Sequence, residues 1–404
     1  MKSAHVRSRD LQGFARLAVD ATSGIADLVE AMHRNIAQRA APIGAEPSGT
    51  THGIAGLVYR SIRGVTRVVG GGLDLLLGQL LPLIERKLVD ESAVSSNERE
   101  AIHAALNGVL GDYLAETDNP LAITMQFRRN GLALPLAKAK LAAALPDCTG
   151  KIVVLVHGLC MNDRQWARGN ADIGEISARD VGYTPVYLHY NSGLHISSNG
   201  KALADLLERL IKNWPQPVAA LAIIGHSMGG LVARSACAAA EHDRRRWLGM
   251  LRKVIFLGTP HHGAPLERGG HWLDMVLGVS PYTAPFARLG KVRSAGITDL
   301  RHGYLSDADW QGRDRLSRSR ASPLAVPLPA RVQCYFVAAT TSRDGSNGSD
   351  GLVPVASALG QHSDAGRALA VAKTRQYIAR GLNHFDLLGN ARVQAKLKRW
   401  LSLP

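Results

Sequence analysis

From Gly150 onward, short β-branched apolar runs alternate with segments in which apolar residues recur every three or four positions. The runs cover residues 151–156, 184–190, 220–225, 253–258 and 331–338. Between the second and third, Leu203, Leu206, Leu207, Leu210, Ile211 and Trp214 form a helical stripe, and residues 231–240 are good helix formers. Near the end, Val393, Leu397, Trp400 and Leu401 mark a last amphipathic helix. Strand-length runs separated by crossover helices predict an α/β fold with a mostly parallel sheet flanked by helices.

The N-terminal part has a different texture. Leu11, Phe14, Leu17, Ala18, Ala21, Ile25, Leu28, Val29, Met32 and Ile36 define one face of an amphipathic helix. A linker rich in Pro, Gly, Ser and Thr follows at 41–53, and then an apolar segment at 57–88 that is densest at 65–84. Arg67, Asp74, Gln79, Pro82 and the triplet Gly70-Gly71-Gly72 interrupt that dense stretch. A membrane span needs about 20 apolar residues with few charges, so the segment predicts either a helical hairpin packed on the catalytic domain or an element that docks on lipid. The expected organisation is a helical accessory region at 1–120 and a catalytic domain at 121–404. The irregular stretch 264–329 within the latter is expected to form a cap.

Composition narrows the partners. The 404 residues carry a formal charge of +15 and only 5% aromatic side chains. Positive charge attracts anionic surfaces, but with so few aromatics the stacking platforms that hold single-stranded nucleic acid are lacking. No nucleic-acid partner is expected; peripheral association with an anionic or apolar lipid surface is. The runs Arg244-Arg245-Arg246 with Arg252 and Lys253, and Arg313, Arg315, Arg318 and Arg320, read as solvated basic faces. Cys148, Cys160, Cys237 and Cys334 have no zinc-like spacing and read as reduced, buried thiols. No secretory signal pattern opens the chain, which points to the cytoplasm. Neither a metal nor an organic cofactor is expected.

The candidate chemistry centres on Gly225-His226-Ser227-Met228-Gly229-Gly230, which follows an apolar strand and precedes a helix. That is the setting of a nucleophile elbow, with glycines two before and two after Ser227 because side chains there would collide across the turn. Serine chemistry needs donors for the tetrahedral oxyanion. The Met228 N–H supplies one, and the loop His157-Gly158-Leu159 supplies the other through Leu159, with Cys160 next in line. His157 reads as a brace for that loop.

The base lies late in the chain, among His302, His362 and His384; His384, in a loop just before the last helix, is preferred. The acid should follow the run at 331–338. Asp350 stands directly before the apolar Gly351-Leu352-Val353-Pro354, whereas Asp344 lies in a Ser/Gly/Asn-rich turn, so Asp350 is the choice and Asp344 the alternative. His261 and His262 have no completing carboxylate and read as packing residues rather than metal ligands.

Together, residues 155–159, 225–230, 257–263 and 350–354 and the pair Asn383-His384 resemble the bacterial lipase and esterase group related to GPI inositol-deacylases. The resemblance covers about residues 150–404. It implies the α/β-hydrolase fold, with Ser227 as nucleophile, His384 as base and a cap after Gly263, and it implies lipid or acyl esters more often than peptides. The leading expectation is therefore a carboxylic ester hydrolase working through an acyl-enzyme. A thioesterase or acyltransferase with the same triad is the second reading, and a membrane- or granule-associated scaffold the third.

Overall fold

A computed structural model describes residues 9–10, 12–20, 97–168, 172–264, 294–312, 323–343 and 348–403. Several expectations fall outside them: the linker at 41–53, the apolar segment at 57–88, most of the amphipathic stripe after residue 20, Asp344, and the second arginine run. Of the expected cap, residues 265–293 and 313–322 also lie outside. Among the described residues no helix is long and apolar enough to cross a membrane.

Among the described residues, eight strands form one sheet in the order β2-β1-β4-β3-β5-β6-β7-β8. They are β1 (Gln126–Arg129), β2 (Leu132–Ala133), β3 (Lys151–Val156), β4 (Thr184–His189), β5 (Ala220–His226), β6 (Leu251–Leu257), β7 (Gln333–Thr340) and β8 (Gln376–Arg380). Strands β3 to β8 pair in parallel, and β1 runs antiparallel to both β2 and β4. All five expected runs are strands. In β3, β5 and β6 nearly every residue is buried, as expected of parallel strands covered on both faces. The sheet and its covering helices are those of the α/β-hydrolase fold.

From residue 97 onward the described α-helices are α1 (Asn97–Glu116), α2 (Lys138–Ala144), α3 (Ile173–Val181), α4 (Ile196–Asn213), α5 (Met228–His242), α6 (Trp247–Met250), α7 (Ala295–His302), α8 (Val355–Ala358), α9 (Asp386–Gly389) and α10 (Ala391–Ser402). The stripe from Leu203 to Leu210 faces the core from α4, and Val393, Leu397, Trp400 and Leu401 do so from α10. Lys253 departs from the solvated face expected of it. It is buried on β6, and its Nζ donates to the carbonyls of Leu401 (3.1 Å) and Leu403 at the end of α10.

The chain divides into two compact units, one of residues 1–93 with 114–122 and one of residues 94–113 with 123–404. Residues 97–113 of α1 belong to the larger unit. Their sequence explains the close fit. A Cβ on Gly108 would stand 2.2 Å from Cys160 Sγ, and one on Gly111 would stand 1.9 Å from Asn191 Oδ1, so only glycine lets the helix come this near. Within the smaller unit, residues 12–20 are helical, and Phe14 of the expected apolar stripe is exposed. Asn119 Nδ2 donates to the Gly13 carbonyl at 3.1 Å.

Candidate active site

Strand β5 ends at His226 and α5 begins at Met228, so Ser227 alone makes the reversal. Its backbone sits at φ 52 and ψ −125, a sparsely populated region that costs energy and persists only where the surroundings enforce it. Its N–H donates to the Leu257 carbonyl at 2.8 Å, which ties the turn to the next strand. A Cβ on Gly225 would meet Gly230 Cα at 2.6 Å, and one on Gly229 would meet the Val156 carbonyl oxygen at 2.1 Å. The obstruction at Gly229 is backbone of a central strand and cannot swing aside. Gly229→Ala is therefore expected to lower stability by about 1–3 kcal/mol, the usual cost of overpacking, read as a lowered midpoint in thermal unfolding. An unchanged midpoint would refute the close approach.

The imidazole and the carboxylate come from two loops 34 positions apart near the end of the chain. His384 Nδ1 lies 2.7 Å from Asp350 Oδ2, with both side chains about 1% exposed. Asp350 Oδ1 accepts the N–H groups of Leu352 (2.9 Å) and Val353 (2.7 Å), and the His384 N–H donates to the Asp350 carbonyl at 3.1 Å. The carboxylate is thus fixed through both oxygens. Because an ionised carboxylate only accepts, Nδ1 carries a proton and Nε2 of a neutral ring is the basic nitrogen. Nε2 is buried and has no hydrogen-bond partner among the described residues, Ser227 Oγ included.

The residues around the ring make room for it. Gly258, at φ 57, would bring a Cβ within 3.0 Å of His384 Cε1 and Nδ1. His226 packs beside it with ring centroids 4.7 Å apart, and His226 Nε2 donates to the His384 carbonyl at 3.3 Å. Burial first, and then the neighbouring His384, hold the His226 pKa well below the ordinary imidazole value. His226 therefore packs as a neutral ring.

The loop after β3 approaches the elbow closely: a Cβ on Gly158 would lie 3.1 Å from Ser227 Cβ. His157 braces it. Its ring stacks on Tyr190 at 4.4 Å, Nδ1 donates to the Gly158 carbonyl at 2.9 Å, and burial holds its pKa down to about 3. Cys160 sits at φ 57, and its N–H donates to Ser192 Oγ at 3.0 Å. The contact occupies the donor named second for the oxyanion, while neither the Leu159 nor the Met228 N–H has an acceptor among the described residues.

The other histidines lie elsewhere. His261 packs edge-on against Phe256 (4.8 Å) and beside Phe336 (4.6 Å). His362 lies against His262 and His302 against Tyr304. Glu100, Asp163 and His189 cluster closely enough to suggest a cation site. Arg128 already occupies it, with Nη1 at 2.8 Å from Glu100 and 3.1 Å from Asp163. The network holds Asp163 down to about 2 against the raising effect of its burial. Sequence reasoning missed Ser192 and this network because neither has a local signature. Gly258 lies within the recognised 257–263 motif, although its role in admitting the ring becomes visible only in three dimensions.

Residues 147–327 match the family model of the PGAP1-like alpha/beta domain. No curated protein matches the chain. Among solved structures, the chain is similar to the mature form of Bacillus licheniformis lipase BlEst2, at 17% identity over 63% of this chain and 92% of that one, with a TM-score of 0.41. Phospholipase PlaB from Legionella pneumophila is 17% identical over 63% of this chain and 60% of its own, with a TM-score of 0.41. Aspergillus fumigatus lipase B is 13% identical over 67% and 59% respectively, with a TM-score of 0.40. The order of the motifs and the sheet topology are those of the α/β-hydrolase fold, and residues 147–327, a little under half of the chain, are similar to the PGAP1-like alpha/beta domain.

Proposed function

We propose that the protein is a serine hydrolase that cleaves carboxylic esters of lipid-like or acyl substrates through a covalent acyl-enzyme. The observation that carries the reading is the buried 2.7 Å pair of His384 Nδ1 and Asp350 Oδ2, with Nε2 left unpartnered, in a protein whose β5–α5 turn holds Ser227 at positive φ. Ser227 Oγ attacks the ester carbonyl while His384 Nε2 takes its proton. The Met228 and Leu159 N–H groups stabilise the oxyanion, and the imidazolium then protonates the leaving alcohol. Water enters, loses a proton to Nε2 and releases the acid, restoring the serine. Asp350 keeps the imidazole in the productive tautomer and stabilises its cation. An elbow and a fixed His–Asp pair are superfluous in a scaffold, which argues against a purely structural role.

The test is a panel of p-nitrophenyl esters with acyl chains of two to sixteen carbons, run beside acyl-CoA thioesters and phospholipids. Turnover of esters, with an active-site fluorophosphonate attached to Ser227, is the expected outcome. Faster cleavage of thioesters than of any ester would move the protein to the thioesterase reading. No turnover of any substrate together with no fluorophosphonate labelling would remove the hydrolase reading.

A further inference from the structure

Arg234, on α5, is 3% exposed, yet no carboxylate pairs with it among the described residues. Its Nη1 donates to His261 Nδ1 at 3.3 Å and its Nη2 to the Val326 carbonyl, while Nε has no partner. Both partners are neutral. A buried guanidinium surrounded only by neutral acceptors is costly unless an anion completes its shell.

The neighbouring histidines point the same way. Arginine only donates, so His261 Nδ1 accepts and its proton sits on Nε2. That nitrogen is buried and also lacks a partner among the described residues, as does His262 Nε2. Burial first, and then the nearby His362, Arg234 and Arg367, hold the His262 pKa below the ordinary imidazole value, against the raising effect of the hydrogen bond that its ring donates to the Gly360 backbone.

Arg234, His261, His262 and Arg367 line a cavity of about 300 Å³, bounded otherwise by the apolar segments 323–328 and 368–370. Among the described residues no Asp or Glu lines it, nor does Ser227, Asp350 or His384. The volume is at the lower end of small-molecule sites, about 300–1,000 Å³, and far above the roughly 30 Å³ of one water.

We propose that this cavity binds an organic phosphate. Its phosphoryl oxygens take the donors of Arg234, His261 and Arg367, and its small organic body lies against the apolar walls. The hydroxyl of the monoprotonated phosphoryl group donates to His262 Nε2, which is unprotonated because the other ring nitrogen donates to the Gly360 backbone. Several donors set around one corner suit the multiple acceptors of a phosphoryl group better than the two coplanar oxygens of a carboxylate. A purely structural role for Arg234, tying down residues 323–328, explains the bond to Val326 but leaves the unsatisfied N–H groups of Arg234 and His261 without a purpose.

Titration calorimetry on the full chain tests the site, with glycerol phosphate and inorganic phosphate as soluble probes and sodium chloride at matched ionic strength as the control. Flotation with phosphatidylglycerol vesicles separates a lipid headgroup from a free phosphate ester. Saturable binding of a phosphate probe or of the vesicles is expected. Arg367→Gln and His262→Gln, both at partly exposed positions, should each weaken that binding by about tenfold or more, the size of one charge-assisted contact. Arg234→Met should abolish it, and the two milder variants keep the test decisive if that one fails to fold. Ser227→Ala should bind as the wild type does, which separates this site from the catalytic reading. Absence of saturable binding to every probe, or undiminished binding in both glutamine variants, would overturn the proposal.

Discussion

Ser227→Ala should abolish ester hydrolysis, by about 10⁴- to 10⁶-fold in turnover, while leaving the unfolding midpoint close to that of the wild type. The magnitude follows from the chemistry: without the hydroxyl no acyl-enzyme forms, and only the residual contribution of binding and oxyanion donors remains. The stability expectation follows from the backbone. The Ser227 N–H to Leu257 carbonyl bond, 2.8 Å, does not involve the side chain. Alanine takes up the same positive φ at a similar cost, and the residue is only half-buried, so no packed cavity opens. Rates on the best ester of the panel and a thermal melt, measured on the same preparation, are sufficient. A folded variant that keeps more than a few per cent of wild-type turnover would remove Ser227 from the mechanism.

Much of this arrangement could be read from the sequence because the central strands carry strong local signals. Residues 152–156 of β3, 220–225 of β5 and 254–257 of β6 carry no charged or polar side chain, and a motif stands at the C-terminal end of each, where loops converge in a parallel sheet. The edge of the sheet was less legible. Strands β1 and β2 are only four and two residues long; β1 carries two arginines, and both residues of β2, Leu132 and Ala133, are exposed. Only the turn between them, Asn130-Gly131 with both residues at positive φ, betrays the hairpin. Helix α1 lies in the region expected to be helical, but its own bounds are not legible in the sequence, for a different reason. Ala101, Ala104, Ala105, Leu106 and Val109 are all buried, so its apolar residues do not form one clean stripe, and its small residues record contacts with loops distant in sequence. Ser192 likewise acts across 32 positions, on Cys160, and no spacing rule reaches that far.

Asp350→Asn should lower turnover by about 10⁴-fold, the cost known for the same change in the best-studied triad, whereas Asp344→Asn should leave turnover near wild type. The loss is forced by the contacts of the carboxylate. Oδ2 faces His384 Nδ1 and Oδ1 accepts two backbone N–H groups, from Leu352 and Val353. An asparagine amide has one acceptor and one donor end. With its nitrogen toward His384, Nδ1 must accept, the ring proton moves to Nε2, and the base is lost. With its oxygen toward His384, the amide N–H₂ confronts two backbone donors at hydrogen-bond distance, which breaks the turn that positions residue 350. Either orientation disables the imidazole, and the second also lowers stability, so a thermal melt beside the rate measurement tells which one the variant adopts. If Asp344→Asn proves the more damaging of the two, the orienting role passes to Asp344.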